Sequence, residues 1–240
     1  MIMASVIDFH THILPGIDDG SKSVDESLAL LRLEAEQGIR QVVMTPHFYT
    51  ARESLSHFLE KRAQALERLN TAIKGIDNLP QLAVGAEVRI FDGISQSEFL
   101  SELAISGTNC ILIEMPMPPW SDSLLQELAQ IQYQRDLIPI VAHIDRYISP
   151  FRTKGIPEAL AKLPVLVQAS GSFFTNRSTK SLALKLLRED KIHLLGSDCH
   201  NLSSRPPNLR EALSVIENKF GKNAISHINS IESGIFAVAK

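Results

Sequence analysis

Short, continuous apolar runs recur along this chain, and nearly every one is followed by a stretch of helical pattern. Residues 6–10, 41–44, 82–88, 110–114, 138–143, 165–168 and 192–196 read as strands. Several are apolar without alternation, as expected for parallel strands covered on both faces. Helical periodicity follows at about 24–37, 53–74, 96–103, 122–135, 157–162, 178–189, 208–219 and 223–238. The first of these opens on Ser23 with Glu26 three residues on, a capping box, and Gly38 ends it. Strand–helix alternation sustained this long specifies an α/β fold, and seven or eight units favour a barrel over an open sheet. At 240 residues, with no linker, repeat or low-complexity tract, the chain reads as one domain over 1–240.

The ends of these strands carry the chemistry. The first run gives Asp8, His10 and His12, the second His47, the third Glu87, the fourth Glu114, the fifth His143, and the last Asp198 and His200; the first loop adds Asp18-Asp19. Strand C-termini are where α/β barrels build their sites. In a strand, residues i and i+2 point the same way, so His10 and His12 address one point, and Asp198 and His200 repeat the arrangement. Imidazole and carboxylate together suit Zn, Mn or Fe. So many donors exceed what one ion takes, which implies a cluster of two or three divalent ions with Glu87 placed to bridge. Asp8 reads either as a carboxylate that orients a histidine or as a capped loop residue. His57, in a polar helix, and His193 and His227, which lack ligand-like neighbours, read as structural.

Composition narrows the class. A net charge of −3 argues against a nucleic-acid binder, and with it against phosphodiesterase or exonuclease work. Two cysteines cannot form a disulfide framework and fit a reducing cytosol. Residues 1–6 show no basic, apolar targeting signal, and no apolar run approaches the ~20 residues of a membrane span, so a cytoplasmic protein without membrane insertion is expected. The polar first helix could form an interface in a homo-oligomer.

Asp8-Phe9-His10-Thr11-His12, followed by Ile13-Leu14-Pro15-Gly16-Ile17-Asp18-Asp19-Gly20, resembles the opening motif of the polymerase and histidinol phosphatase (PHP) superfamily. More narrowly, the chain resembles the PHP-type tyrosine phosphatases of bacterial capsule and exopolysaccharide gene clusters. Thr45-Pro46-His47, Gly85-Ala86-Glu87, Ile113-Glu114-Met115-Pro116, Ala142-His143-Ile144-Asp145-Arg146-Tyr147 and Gly196-Ser197-Asp198-Cys199-His200 follow in the family's order, over residues 7–206. The resemblance implies a distorted (β/α)7 TIM-like barrel with three divalent ions. Carried over by position, His10, His12, Glu87 and Asp198 would hold one ion, Glu87, Glu114 and His143 a second, and Asp19, His47 and His200 a third. Arg146 and Arg205 would be the family's substrate-binding arginines, and the substrate a phosphotyrosine protein, namely a membrane-associated bacterial tyrosine kinase.

The chemistry also follows from the residues. A multi-metal site lowers the pKa of a bound water and neutralises phosphoryl oxygens, while arginine grips phosphate bidentately. Rival readings share the motifs. A histidinol-phosphate phosphatase would keep the metals and change the pocket. An amidohydrolase would also open on His-x-His, yet often needs a strand-end lysine, which is missing here. A non-catalytic metal-binding regulator would hydrolyse no phosphomonoester. Cys199 and Arg205 are spaced as Cys-x5-Arg, the skeleton of cysteine-dependent phosphatases. The five residues between them hold no glycine, and alternation turns Cys199 away from Asp198 and His200.

Overall fold

The computed structural model describes residues 6–148 and 155–237. The expected end of the last helix at Val238, and most of the segment read for targeting, lie outside them. The strands are β1 (Val6–Thr11), β2 (Ile39–Met44), β3 (His47–Phe48), β4 (Gln81–Val84), β5 (Glu87–Arg89), β6 (Cys110–Glu114), β7 (Ile138–Val141), β8 (Leu166–Ser170) and β9 (Leu194–Gly196). Between them lie α1 (Val24–Glu36), α2 (Leu55–Ile73), α3 (Leu100–Leu103), α4 (Asp122–Arg135), α5 (Ile156–Leu160), α6 (Gly171–Thr175) and α7 (Lys180–Arg188); α8 (Leu209–Phe220) and α9 (Lys222–Ala237) follow.

Every strand pair is parallel, in the orders β1-β2-β4 and β3-β5-β6-β7-β8-β9. The two sheets are one wall. β2 and β3 are a single strand interrupted at Pro46, and β4 and β5 a single strand interrupted at Gly85-Ala86. The ladder runs through both breaks, with the Gly85 N–H on the Met44 carbonyl (2.9 Å) and the Glu87 N–H on the Pro46 carbonyl (3.0 Å). The wall closes between β9 and β1, where the Asp198 N–H donates to His10 O (2.8 Å) and the His12 N–H to Cys199 O (2.9 Å). The result is the expected distorted (β/α)7 barrel.

Its distortion has a local cause. At the lower end β4 and β6 do not pair; the segment after α3 lies between them, with the Ser106 N–H on Val84 O (2.8 Å) and the Ile105 N–H on Cys110 O (2.8 Å). Arg62 from α2 donates to the Gly85 carbonyl (3.0 Å), which is why the continuous strand expected at 82–88 is split.

Two apolar clusters sort the strand residues. Ile7, Phe9, Val43, Ala83, Cys110, Leu112, Ile140, Ala142 and Leu194 fill the barrel interior, which Ile235 and Phe236 of α9 plug from below. Val6, Val42, Met44, Ile113, Val141 and Cys199 face outward under the helices, with Leu30 and Leu31 of α1 among their neighbours. Smaller departures from expectation are local. Ser23 caps α1, but the Glu26 carboxylate accepts from Lys22 N–H (2.8 Å), one residue before the expected box partner. The helix expected at 96–103 is a 3-10 turn, Ile94–Gln96, followed by the single turn α3, and α6 was not anticipated.

Candidate metal centre

The upper mouth of the barrel is built by a break in alternation. Asp8 pairs with Val42 and Thr11 with Met44, so Phe9 and His10 of β1 together oppose Val43 of β2. This β-bulge re-aims the strand. Asp8 points outward to α1, Phe9 inward, and His10 inward again, followed by His12. Two further residues reach the mouth through left-handed backbone: His143 (φ 32°) and Asp198 (φ 54°). Gly196 makes room for His10 and Gln168, since a Cβ there would lie 2.6 Å from the His10 Cβ and 2.6 Å from Gln168 Nε2.

The nine expected donors, Asp19 included, meet at this mouth. His10 Nε2 and His12 Nε2 face each other at 3.1 Å, and Glu87 Oε2 lies 3.1 Å from the first and 3.3 Å from the second. Asp198 Oδ1 is 3.5 Å from both nitrogens. Glu87 Oε1 receives His143 Nε2 at 2.7 Å, and Oε2 receives His47 Nδ1 at 2.9 Å. Asp19, on the exposed loop, reaches His47 (3.4 Å) and His200 (3.5 Å). Three groups have donor atoms all within 4.8 Å of one another: His12, Asp19, His47 and His200; His10, His12 and Asp198; and His47, Glu87 and Glu114. These resemble the three carried-over sets. They differ in three places: Glu87, though 3.1 Å from His10, groups with His47 and Glu114 and not with His10, His12 and Asp198; His12 joins Asp19, His47 and His200; and His47 stands with Glu87 and Glu114 where His143 was expected, His143 meeting the Glu87 carboxylate outside these groups.

The donor set fits divalent ions on its own chemistry. Asp198 Oδ1, Glu114 Oε2, His143 Nδ1 and His200 Nε2 are buried and make no hydrogen bond among the described residues. Such orphaned atoms are costly unless something binds them. Hydrogen bonds at Nδ1 also leave Nε2 free for a metal. His12 Nδ1 meets Asp18 Oδ2 at 2.7 Å, His10 Nδ1 meets Gln168 Oε1 at 3.3 Å, and His200 Nδ1 meets the Asp198 carbonyl at 2.9 Å. Asp18 is thus an orienting carboxylate, also accepting the N–H groups of Gly20 (2.9 Å) and His47 (3.1 Å).

The electrostatics show a site that calls for positive charge. Burial would raise Glu87 and Asp198, but His10 and its neighbours hold Glu87 well below the usual carboxylate range. His10, His12 and Arg146 bring Asp198 down to about 2. Burial likewise opposes charge on His12, yet Asp18 and Glu87 carry it up to about 10. His200 is pushed down to about 4, by burial and then by the charge on His12.

Arg146, on the 3-10 turn Ile144–Arg146, and Arg205, on the loop after β9, both donate to Asp198 Oδ2. The Arg205 loop is not a phosphate cradle. The side-chain oxygen of Asn201 occupies the N–H groups of Ser203 (3.0 Å), Ser204 (2.8 Å) and Arg205 (3.2 Å). Cys199 is fully buried on the outer face, with its thiol on Glu34 Oε1 (3.7 Å), and burial, then Glu34 and Asp8, push that thiol well above its ordinary pKa. A thiolate nucleophile is therefore unsupported. Asp8 sits beside it, accepting from the N–H groups of His10 (3.1 Å) and Ser197 (2.9 Å) across the seam. His57 is exposed on α2, His193 closes a pair of bonds with Val167, and His227 meets Asp190 at the surface, so none joins the centre.

Sequence reading missed three residues at the mouth. Gln168 holds His10 and also accepts the His143 N–H (2.6 Å); the sign was a polar residue ending an otherwise apolar strand. Tyr49 stacks on His47 (5.2 Å between ring centroids) with its hydroxyl 3.2 Å from Nδ1, and Arg89 reaches Glu114 at 3.3 Å. Each is two residues past a donor, His47 or Glu87, the same spacing that identified His12 and His200.

Known proteins carry this architecture. A family model described as capsular polysaccharide synthesis, CpsB/CapC, matches residues 6–234. The tyrosine-protein phosphatase YwqE of Bacillus subtilis is 31% identical over 229 residues, covering 90% of this chain and 85% of its own. The tyrosine-protein phosphatase CpsB of Streptococcus pneumoniae is 30% identical over 231 residues, covering 90% and 91%. A chain from the crystal structures of these two proteins, described as metal-dependent tyrosine phosphatases, superposes with a TM-score of 0.83 at 25% identity, over 97% of this chain and 94% of that one. The histidinol phosphate phosphatase of Lactococcus lactis shares the fold, at a TM-score of 0.58 and 15% identity over 90% of this chain and 94% of its own. By its motifs, its barrel and this match over nearly its whole length, the chain belongs to the CpsB/CapC family of capsular polysaccharide synthesis.

Proposed function

We propose that this chain is a metal-dependent protein-tyrosine phosphatase acting within capsular or exopolysaccharide synthesis. The observation that carries the reading is the mouth itself: histidines and carboxylates with orphaned buried donors, flanked by two arginines on one carboxylate. In our reading His10, His12, Glu87 and Asp198, with Glu114 and His143, and with Asp19, His47 and His200, hold two or three ions of Mn, Fe or Zn. Those ions would lower the pKa of a bound water and offset charge on the phosphoryl oxygens.

The chain's own residues supply the rest. Arg146 and Arg205 grip the phosphoryl oxygens and set the ester for in-line attack. Each leans on Asp198 through one terminal nitrogen, and a guanidinium has five N–H donors, so both keep donors for substrate. Asp18 and Gln168 fix the histidine rings. The Tyr147 hydroxyl accepts the Met115 N–H (2.9 Å), which ties the Arg146 turn to the loop after β6.

The substrate is a phosphotyrosine protein, and the partner we favour is a membrane-associated tyrosine kinase. No helix among the described residues is long and apolar enough to cross a membrane. We take residues 1–240 as one catalytic domain working in the cytoplasm, with self-association left to the polar face of α1. The test is a panel of phosphotyrosine peptide, phosphoserine peptide, histidinol phosphate and a phosphodiester, each with and without chelator. Chelator-sensitive hydrolysis led by phosphotyrosine is expected; a preference for histidinol phosphate would move the chain to the other branch of the superfamily.

A further inference from the structure

Arg146 and Arg205 stand together on one flank of the mouth. The opposite flank also carries an arginine. Arg89 is two residues past Glu87 on β5, and it is the register partner of Glu114 on β6. Neighbours in register on parallel strands share a face, and Glu114 belongs to the donor groups inside the mouth. Arg89 therefore points into the mouth by two independent criteria.

Its environment matches that of the other two arginines. Arg89 touches Glu114 Oε1 through one terminal nitrogen at 3.3 Å, and its side chain is 39% exposed. Arg146 and Arg205 touch Asp198 through one terminal nitrogen each, at 39% and 35% side-chain exposure. All three rest a single nitrogen on a candidate metal ligand while the remaining donors stay accessible. The Arg89 contact is long and single, unlike the bidentate geometry of an arginine whose purpose is to hold a carboxylate. A chain of contacts separates the flanks: Asp198 to His10 (3.5 Å), His10 to Glu87 (3.1 Å), and Glu87 to Glu114 within 4.8 Å. A phosphoryl group seated over Glu87 would have guanidinium groups on both sides.

We propose that Arg89 is a third phosphate-binding arginine, gripping the phosphoryl group from the flank opposite Arg146 and Arg205. This rests on the phosphatase reading and adds to it a residue that binds the substrate directly. A structural role, holding Glu114 for its metal, makes a different prediction, so the two can be separated.

The experiment uses the full chain reconstituted with Mn²⁺, as wild type, Arg89→Ala and Arg89→Lys. Metal content, the calorimetric Kd for inorganic phosphate, and kcat/KM on a phosphotyrosine peptide are measured for each. Arg89→Ala is expected to keep its metal and to bind phosphate about 10-fold or more weakly. Arg89→Lys is expected to fall between, because a point charge remains and the fork is lost; it carries the test if the alanine variant does not fold. Unchanged phosphate affinity would overturn the proposal. So would loss of metal in Arg89→Ala with phosphate affinity fully retained in Arg89→Lys, since that is the behaviour of a strut for Glu114. Phosphate binding by the wild type without phosphotyrosine hydrolysis would defeat the phosphatase reading and leave Arg89 to be judged on Kd alone.

Discussion

The two faces of the seam between β1 and β9 carry buried acids with opposite behaviour. Inside the barrel, Glu87 and Asp198 are held below the usual carboxylate range because imidazoles and guanidiniums face them. Outside, between the wall and the helices, Asp8 and Glu34 are raised, first by burial and, for Glu34, then by the charge of Asp8. Glu232 on α9, below the barrel, is raised in the same way. Burial is nearly complete in all of these, so it does not decide the sign. The neighbours do: acids facing cationic partners are held low, and acids facing another carboxylate in place of a cation are raised. A cluster of buried carboxylates is thus no metal site by itself, and the histidines distinguish the inner face from the outer.

The sharpest way to break this contrast is to remove the inner cations. Chelation, or His10→Ala, should lower kcat/KM on phosphotyrosine peptide by about 10³-fold or more, since the metals are worth several kcal/mol at roughly 1.4 kcal/mol per decade. Metal content should fall with His10→Ala; full activity in verified metal-free protein would end the metal reading. Next in size are the arginines. Arg146→Ala and Arg205→Ala should each lose about 2–4 kcal/mol of transition-state stabilisation while metal stays bound. Near-normal kcat/KM in both would take them out of the mechanism.

On the outer face the same kind of change should do little to catalysis. Cys199→Ser should retain most activity and destabilise by about 1 kcal/mol, according to whether the hydroxyl finds Glu34 as the thiol does. An inactive, fully metal-loaded Ser variant would revive the cysteine mechanism. The smallest effect lies below the barrel. Glu232 accepts the Ile7 N–H (3.0 Å) through one oxygen, and its other oxygen is buried and makes no hydrogen bond among the described residues. Its pKa is raised by burial and then by Asp8, the charged group that faces it. The folded state then holds a proton that the unfolded state has released, so this group's stabilising contribution is full below its unfolded pKa and declines as pH rises toward the folded one, by at most about 1.4 kcal/mol per pH unit. Glu232→Gln should flatten that decline above about pH 4.5, read as Tm against pH. A steeper decline in the variant would show that Glu232 is ionised in the fold.

The donors were legible because they depend on local pattern. Strand ends are marked by where apolar runs stop, and His10/His12 and Asp198/His200 announce themselves by spacing. Read to its end, the same rule would have exposed Tyr49 and Arg89, which follow His47 and Glu87 by two. The rule fails at Asp8. Alternation groups it with His10, and the bulge on β1 separates them, sending one carboxylate out to Glu34 and one imidazole in to Glu87.

Sequence by itself determined the layer order, the parallel strands and the kind of chemistry at the mouth, since hydrophobic period and residue type act over a few residues. It also placed Cys199 away from Asp198 and His200, on the outer face where its thiol meets Glu34. Tertiary structure alone decided the rest. The bulge, the left-handed His143 and Asp198, and the split at Gly85 arise where strands meet partners far along the chain, as Arg62 meets Gly85. Which histidine stands beside which carboxylate, and whether a buried acid keeps its proton, depend on distances across the barrel, and those exist only once it has closed.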